Sequence, residues 1–557
     1  MSEQHVYTID ADNESRRLNI ALTWSEWPNM LAVGVFLIVG VLIFATFQDY
    51  GVSWDEMLQN TYGIKLLQYY TSGFDDLSAF NYSNLYLYGG FFDLIAALLN
   101  KVSPFGMYET RHLLGGLIFL AGLIGAWRLV HLLAGSRAAL IALVCLATTP
   151  LLYGHSFINP KDSPLAWLLV WVIYFGCRIL NAPERASIAT IAGFGISLGL
   201  ALGTRVIAVA FPAYVAAVLC FSMWVQNVEA RRAFAVGRQA WIYARPLVAA
   251  APAALVLMAV FWPWSVQSPL NLLQAAEIFS NFSWHPIVLW SGQLLQSTDL
   301  PPNYVTRILF FQLPEYVLVG CVLATLAGAA ALYRGGLHVF STGKGRSFLF
   351  LALAALVPIV AFMIMRPVAY NGLRHFLFVV PPLVILSAIG LERAMSYLTA
   401  RGTVWMVAGW IVLCFGWGCQ IVTMTRVHPY QYVAYNALID GIRGAENRFE
   451  LDYWGTSLAE ASRGLADFVV KNHATDGGKK TKVFVCGDRT SAEYFLPKNI
   501  EVTDRLSLAD FYMAINDPPC RYHFDNPGKA IFQVQREGVT LSYVLDIRLP
   551  PGTQTDQ

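Results

Sequence analysis

Charged side chains are scarce. Asp, Glu, Lys and Arg make up 13 % of the 557 residues, against 56 % hydrophobic residues, where a soluble domain carries roughly 25 % charge. A water-soluble fold of this length needs more polar surface than that, so a single soluble globule is excluded. The eight cysteines include no Cys-x-x-Cys pair, which removes zinc ribbons and dithiol redox motifs. Most of them (Cys145, Cys177, Cys220, Cys321, Cys414, Cys419) sit inside apolar runs, where cysteine serves as a small core residue. No internal repeat or low-complexity tract is apparent. The net charge of +2 is unevenly placed, and nucleic acid is not expected as a partner.

What is present is a series of apolar runs close to the length of about 20 residues that crosses a bilayer as helix. They fall at 29–47, 111–133, 138–154, 163–180, 186–203, 205–225, 247–264, 314–333, 347–365, 375–391 and 403–424. The expected fold is an α-helical polytopic membrane protein of about eleven spans. A transmembrane domain covers 1–424, with long outer loops at 48–110 and 265–313, and a small α/β domain covers 425–557. The first run is too long for a signal-peptide core and reads as an uncleaved span.

Basic residues orient the spans. With the N-terminus cytoplasmic, Arg16, Arg17, Arg137, Arg178, Arg185, Arg231, Arg232, Arg238, Arg245, Arg334, Lys344, Arg346, Arg393 and Arg401 face inward. They outnumber Lys65, Lys101, Arg111, Lys161, Arg205, Arg307, Arg366 and Arg374 on the other side, and the tail lies outside. Leu85–Leu99 is short for a span and contains Asp93, so it is expected to lie flat in the interface with Asp93 toward water. Leu58, Tyr62, Leu66 and Tyr69 recur at helical spacing, giving a second interfacial helix. In the tail, a helix is expected at Ser457–Lys471 and a strand at Lys482–Cys486. The runs Ala530–Gln535 and Thr540–Ile547 read as a hairpin turning at Arg536-Glu537-Gly538. Cys486 and Cys520 both fall in this outer region, where a disulfide between them is permitted.

The suggestive polar residues collect on the outer side. They are Asp55 and Glu56 after the first span, Lys161 and Asp162 before the fourth, and Arg205 between the fifth and sixth. His285 lies in the second long loop, and Tyr370, Arg374 and His375 in the turn 366–375. Acids, cations and aromatics beside lipid suit a lipid-linked sugar phosphate. Arg and Lys bind the phosphate, aromatic faces and carboxylates hold the sugar, and an Asp takes the proton of an attacking hydroxyl. Plainer roles exist for each. Asp55, Glu56 and Asp162 also suit helix N-termini, Lys161 and Arg205 also suit snorkelling anchors, and His285 also suits loop packing.

With the acidic pair Asp55-Glu56, Asp162 opening the fourth span, Arg374-His375-Phe376 leading into Pro381-Pro382, Gln312-Leu313-Pro314-Glu315-Tyr316 and His428-Pro429-Tyr430-Gln431-Tyr432, the chain resembles bacterial membrane glycosyltransferases of C-type fold. Within them it looks most like the protein O-mannosyltransferase and aminoarabinose-transferase branch, glycosyltransferase family 39. The resemblance implies an inverting transfer of a monosaccharide from a polyprenyl-phosphate donor at the periplasmic face of the bacterial inner membrane. It also implies Asp55 as general base and Arg374 on the lipid phosphate. Acceptors across that superfamily include lipid A, other envelope glycans and proteins. Relatives carry a basic residue and two prolines where this chain reads Tyr82-Ser83-Asn84-Leu85-Tyr86. Some bind a divalent metal with an acid from that region and a later His; here the acid is missing and His285 alone remains for such a role. A transporter or flippase of lipid-linked sugars, or an O-antigen-type polymerase or ligase, stays open as an alternative.

Overall fold

Apolar runs become helices wherever nothing interrupts the backbone ladder. The computed structural model describes residues 27–230, 236–280, 284–472, 480–521 and 530–548; Arg16, Arg17, Arg231 and Arg232 lie outside them. In chain order the helices are α1 (Trp27–Thr46), α2 (Glu56–Thr71), α3 (Phe91–Leu99), α4 (Met107–Ala134), α5 (Ser136–Ala147) and α6 (Pro150–Ile158). They continue as α7 (Asp162–Asn181), α8 (Ile188–Leu202), α9 (Ala210–Ala230), α10 (Val236–Phe261), α11 (Asn271–Ser280) and α12 (Tyr304–Gln312). The last of this region are α13 (Glu315–Gly335), α14 (Gly343–Met365), α15 (Val380–Arg401) and α16 (Thr403–Arg426). Among the described residues, nine helices are long and apolar enough to cross a membrane: α1, α4, α7, α9, α10 and α13 to α16. The bent pair α5–α6 and the shorter α8 occupy the two remaining apolar runs. The chain is a multi-pass helical membrane protein.

The third run does not form one rod, contrary to the continuous span expected over 138–154. α5 and α6 meet at a 60° bend, because Pro150 has no backbone N–H to donate. The Thr148 and Thr149 hydroxyls donate to the Val144 and Cys145 carbonyls, each at 2.7 Å. The Val144 carbonyl also keeps the Thr148 N–H, whereas the Thr149 N–H has moved to Leu146, so the Thr149 hydroxyl supplies the donor that the break takes from Cys145 in a medium without water. The bend brings His155 and Asn159 to the start of α7.

The long loop over 48–110 also departs from its expected form. Leu85–Leu99 divides into a single tight turn at Leu85–Leu87 and the nine-residue α3. The division falls at Gly89-Gly90, whose backbone bonds elsewhere. The Gly89 N–H donates to Thr204 O at 3.2 Å, the Gly90 N–H to Phe261 O at 2.7 Å and the Phe91 N–H to Gly203 O at 2.9 Å. A Cβ on Gly89 would stand 2.0 Å from the Gly203 carbonyl carbon, so glycine alone permits the approach. Asp93 does not face water. It is 4 % exposed, and the fully buried Arg111 of α4 lies 2.6 Å away. A buried carboxylate requires such a partner.

The second long loop, 265–313, carries α11, an antiparallel hairpin of β1 (Ile287–Trp290) and β2 (Gln293–Gln296), and α12. The hairpin turns at Ser291 and Gly292, both with positive φ. Past α16 the chain recrosses the helix ends. The Asn436 amide donates to the Phe310 and Leu313 carbonyls at 2.7 and 2.8 Å. There follow α17 (Leu458–Lys471) and a sheet of β3 (Thr481–Cys486), β4 (Ile500–Val502), β5 (Phe511–Ile515), β6 (Phe532–Arg536) and β7 (Val539–Asp546), ordered β4-β3-β5-β7-β6. β3 pairs parallel with β4 and β5, while β5–β7 and β7–β6 are antiparallel. The expected β6–β7 hairpin closes through Glu537 and Gly538, with φ of 51° and 84°, the geometry whose twist matches the strands. β4 and β5 are additions to the sequence reading.

Cys486 and Cys520 are disulfide-bonded, 34 positions apart with Cα atoms separated by 5.6 Å. The bond ties the end of β3 to the segment after β5. Cys486→Ser is expected to destabilise the tail by about 2–4 kcal/mol, read as a lower melting temperature than the oxidised wild type. Identical melting curves for the two would show that the bond does not support the sheet.

Candidate active site

Three chain segments from distant parts of the sequence meet at the start of α2. The first is the turn ahead of α2 itself, whose geometry separates the two adjacent acids. Glu56 is buried and its Oε2 accepts the Ser53 N–H at 2.8 Å, so the side chain folds back onto the turn ahead of the helix. It also lies 3.2 Å from His112 Nε2, apart from the cations. Asp55 points the other way, with Lys161 Nζ 3.1 Å and Arg374 Nη1 3.7 Å from its Oδ2.

The second segment is 159–162. Asn159 Oδ1 accepts the backbone N–H groups of Lys161 and Asp162 at 3.2 and 2.9 Å, and so caps α7. The Asp162 carboxylate is thereby free for other partners: Asn159 Nδ2 at 3.1 Å and Arg205 Nη2 at 2.7 Å. Lys161 and Arg205 both lie over the Tyr88 ring, at 4.9 and 5.2 Å from its centroid. With its amide turned so that both ends are satisfied, Gln59 donates to Asp93 at 3.3 Å and accepts from Lys161 Nζ at 3.0 Å. Lys161 is thus tied to the Asp93–Arg111 pair.

The third segment is the turn before α15. Asn371 and Gly372 have positive φ and reverse the chain, so that Arg374 points back to Asp55. The Arg374 guanidinium lies 4.9 Å from the Tyr370 ring centroid and the same distance from that of Trp454, in the tail. Its Nε donates to His375 Nε2 at 3.3 Å. The Gly372 N–H donates to Glu450 at 3.3 Å. Burial, with Asp517 nearby, pushes the Glu450 carboxyl up to about 8 despite that N–H.

Side-chain exposure ranks the charged groups: Asp162 3 %, Arg374 8 %, Lys161 10 %, Arg205 18 % and Asp55 22 %. Asp55 is the most exposed of the five, although its Oδ2, the oxygen nearest the cations, is buried. Burial pushes its carboxyl up, but Lys161 and Arg374 outweigh this and hold it at about 2.

The structure therefore brings together Asp55, Lys161, Asp162, Arg205, Tyr370, Arg374 and His375. Glu56 stands in a separate network, and His285 is exposed beside the β1–β2 hairpin. Among the described residues, no three His, Cys, Asp or Glu side chains gather in a way that would hold a metal ion. The side chains present do not fit a metal at His285. Tyr88, Gln59, Trp454 and His155 were not anticipated. The signal for Trp454 was available: Tyr453-Trp454 is an aromatic pair in an otherwise polar stretch soon after the last span. A groove of about 630 Å³ lies elsewhere, among α13, α15, α16 and residues 434–442, and none of the clustered residues lines it.

Fold and site define a multi-pass helical membrane protein with an acid held between cations at the start of α2, just after the first span. Residues 91–266 match the family model described as dolichyl-phosphate-mannose-protein mannosyltransferase, in agreement with the resemblance read from the residues. That stretch contains Lys161, Asp162 and Arg205; Asp55 and Arg374 lie outside it. Among solved structures, the chain is similar to ArnT from Cupriavidus metallidurans in the apo state, at 14 % identity and a TM-score of 0.48, covering 94 % of this chain and 98 % of that one. The same protein bound to undecaprenyl phosphate gives 13 % identity and 0.47, over 93 % and 98 %. The archaeal oligosaccharyltransferase AglB from Archaeoglobus fulgidus, in complex with an inhibitory peptide and a dolichol-phosphate, gives 10 % and 0.47, over 90 % and 71 %. No curated protein matches the chain in sequence.

Proposed function

We propose that this protein is an inverting glycosyltransferase that moves a monosaccharide from a polyprenyl-phosphate carrier to an acceptor hydroxyl on the periplasmic face of the bacterial inner membrane. One observation carries the reading: a partly exposed carboxylate, Asp55, stands between two cations, Lys161 and Arg374. An acceptor oxygen attacks the anomeric carbon as the bond from that carbon to the phosphate oxygen breaks. The acceptor proton passes to Asp55, and the departing phosphate keeps the bonding electron pair. Lys161 and Arg374 meet the charge growing on that phosphate. Arg205, held by Asp162, and the Tyr88 and Tyr370 rings bound the space for the sugar. The acceptor is an envelope glycan, lipid A or a protein.

A carboxylate held at about 2 is a weak base, and the arrangement accounts for how it becomes a stronger one. The carrier phosphate competes with Asp55 for Lys161 and Arg374. Once they turn to the phosphate, the Asp55 carboxyl rises toward the ordinary value of about 4. Activity falls as pH drops through this pKa, because the protonated acid accepts no proton. kcat/KM reports the free enzyme and kcat the donor complex, so the acid limb of kcat is expected at higher pH by about one unit or more. Coincident limbs in the two profiles would remove this account of Asp55.

The function itself is tested by the lipid that co-purifies with the protein and by the mass of the product. A polyprenyl-phosphate monosaccharide, and an acceptor heavier by one sugar, are expected. An oligosaccharide on a polyprenyl diphosphate, or joined repeat units as product, would overturn the reading.

A further inference from the structure

The segment after α16 has no step in the chemistry above, yet it forms one wall of the site. Trp454 is fully buried, and with Tyr370 it places an aromatic ring on Arg374 at 4.9 Å from either centroid. The Trp454 carbonyl accepts the Trp54 N–H at 3.3 Å, which fixes the backbone immediately before Asp55. Neighbouring residues pin the segment. The Tyr453 hydroxyl and His155 Nε2 share a hydrogen bond of 3.0 Å. Asp452 accepts the N–H groups of Thr456 and Ser457 at 3.1 and 3.0 Å. One residue of the tail therefore touches both the cation and the chain that presents the acid.

The residue type narrows its role. The Trp454 indole N–H is buried with no acceptor among the described residues, a loss that phenylalanine would avoid while still filling space. What tryptophan adds is the strongest ring face for a cation. A ring steadies a guanidinium without neutralising it and takes up none of its N–H donors, so the Nη1 edge that faces Asp55, unlike Nε on His375 and Nη2 on the Tyr370 hydroxyl, can turn to a phosphate. A second carboxylate in that place would occupy those donors. We infer that Trp454 is a positioning residue that holds Arg374 by its ring face beside Asp55, poised to pass from the carboxylate to the carrier phosphate. The inference rests on the glycosyltransferase reading and gives the tail a part in donor binding.

Fluorinated tryptophans placed at position 454 alone drain the ring face of negative potential while keeping its shape and the fold. The probe is undecaprenyl phosphate, with binding to the full chain measured by titration in nanodiscs. Affinity is expected to fall stepwise with fluorine number, by about 10- to 30-fold across the series, as a desolvated cation–ring contact commands. In an Arg374→Gln background the dependence on fluorine is expected to vanish. A flat series in the otherwise native protein, with undecaprenyl phosphate still binding, would overturn the role of Trp454 and leave the enzyme reading standing. Failure of the unsubstituted protein to bind the probe would overturn the reading and, with it, the role.

Discussion

Asp55→Asn is expected to lower kcat by about 10²- to 10⁴-fold, the range that a positioned general base supplies, while KM for the polyprenyl-phosphate donor stays level or falls. The two halves of this result have separate causes. Asparagine keeps the shape of the side chain but cannot take up the acceptor proton, so the loss appears in the chemical step. The same change removes the anion that lies 3.1 Å from Lys161 and 3.7 Å from Arg374. Both cations then face the carrier phosphate without a competitor, and ground-state binding tightens. Initial rates at varied donor concentration separate kcat from KM. A kcat close to that of the wild type would remove Asp55 from the chemistry. A sharp rise in KM with kcat intact would make it a binding residue instead.

Asp93→Leu is expected to destabilise the protein by about 3–5 kcal/mol, because it leaves the buried Arg111 without its counter-charge. Two observations set the size of the effect. The pair is 2.6 Å apart with both side chains almost wholly out of solvent, and Arg111 already has Nε and Nη1 without acceptors among the described residues. Arg111→Leu alone should cost a similar amount. The double substitution should recover most of the loss, since two apolar groups in place of a buried ion pair are often neutral. Unfolding in mixed detergent micelles measures all three, and additive single effects would show that the two residues do not act as a pair. Because Gln59 links Asp93 to Lys161, the single variants should also weaken donor binding beyond what their stability predicts.

The spans were legible because a helix in lipid announces itself through length and apolarity alone, both of which are local properties. Each of the eleven apolar runs is helical in the structure, and the one that bends does so at Thr148-Thr149-Pro150, a signal present in the sequence. Asp93 was misread because a single acid on an apolar helix looks solvent-facing until its partner is known, and Arg111 is contributed by a different helix. The Gly89-Gly90 pair was equally silent, since its meaning is the backbone of residues 203, 204 and 261 lying against it. Among the site residues, Asp55, Lys161, Asp162, Arg205 and Arg374 were found by type and by their position at span ends. Tyr88 and Trp454 were not. Aromatic residues are common in this chain; Tyr453-Trp454 stands out as a pair after the last span, but its seat over Arg374, like that of Tyr88 over Lys161 and Arg205, is visible only in the fold. Glu56 looked equivalent to Asp55 in sequence, but one step along a helix start turns a side chain by about 100°, enough to send it to Ser53 and His112.

The position of Trp454 in the chain has a consequence for biosynthesis. Arg374 enters the membrane with α15, and the ring that covers it is translated only after α16 is complete. Until then its guanidinium has one aromatic cover instead of two, and the backbone ahead of Asp55 lacks the carbonyl that anchors it. A nascent chain that has completed α16 can therefore carry every span and every charged residue of the cluster while the ring over Arg374 and the carbonyl that anchors residue 54 are still to be made.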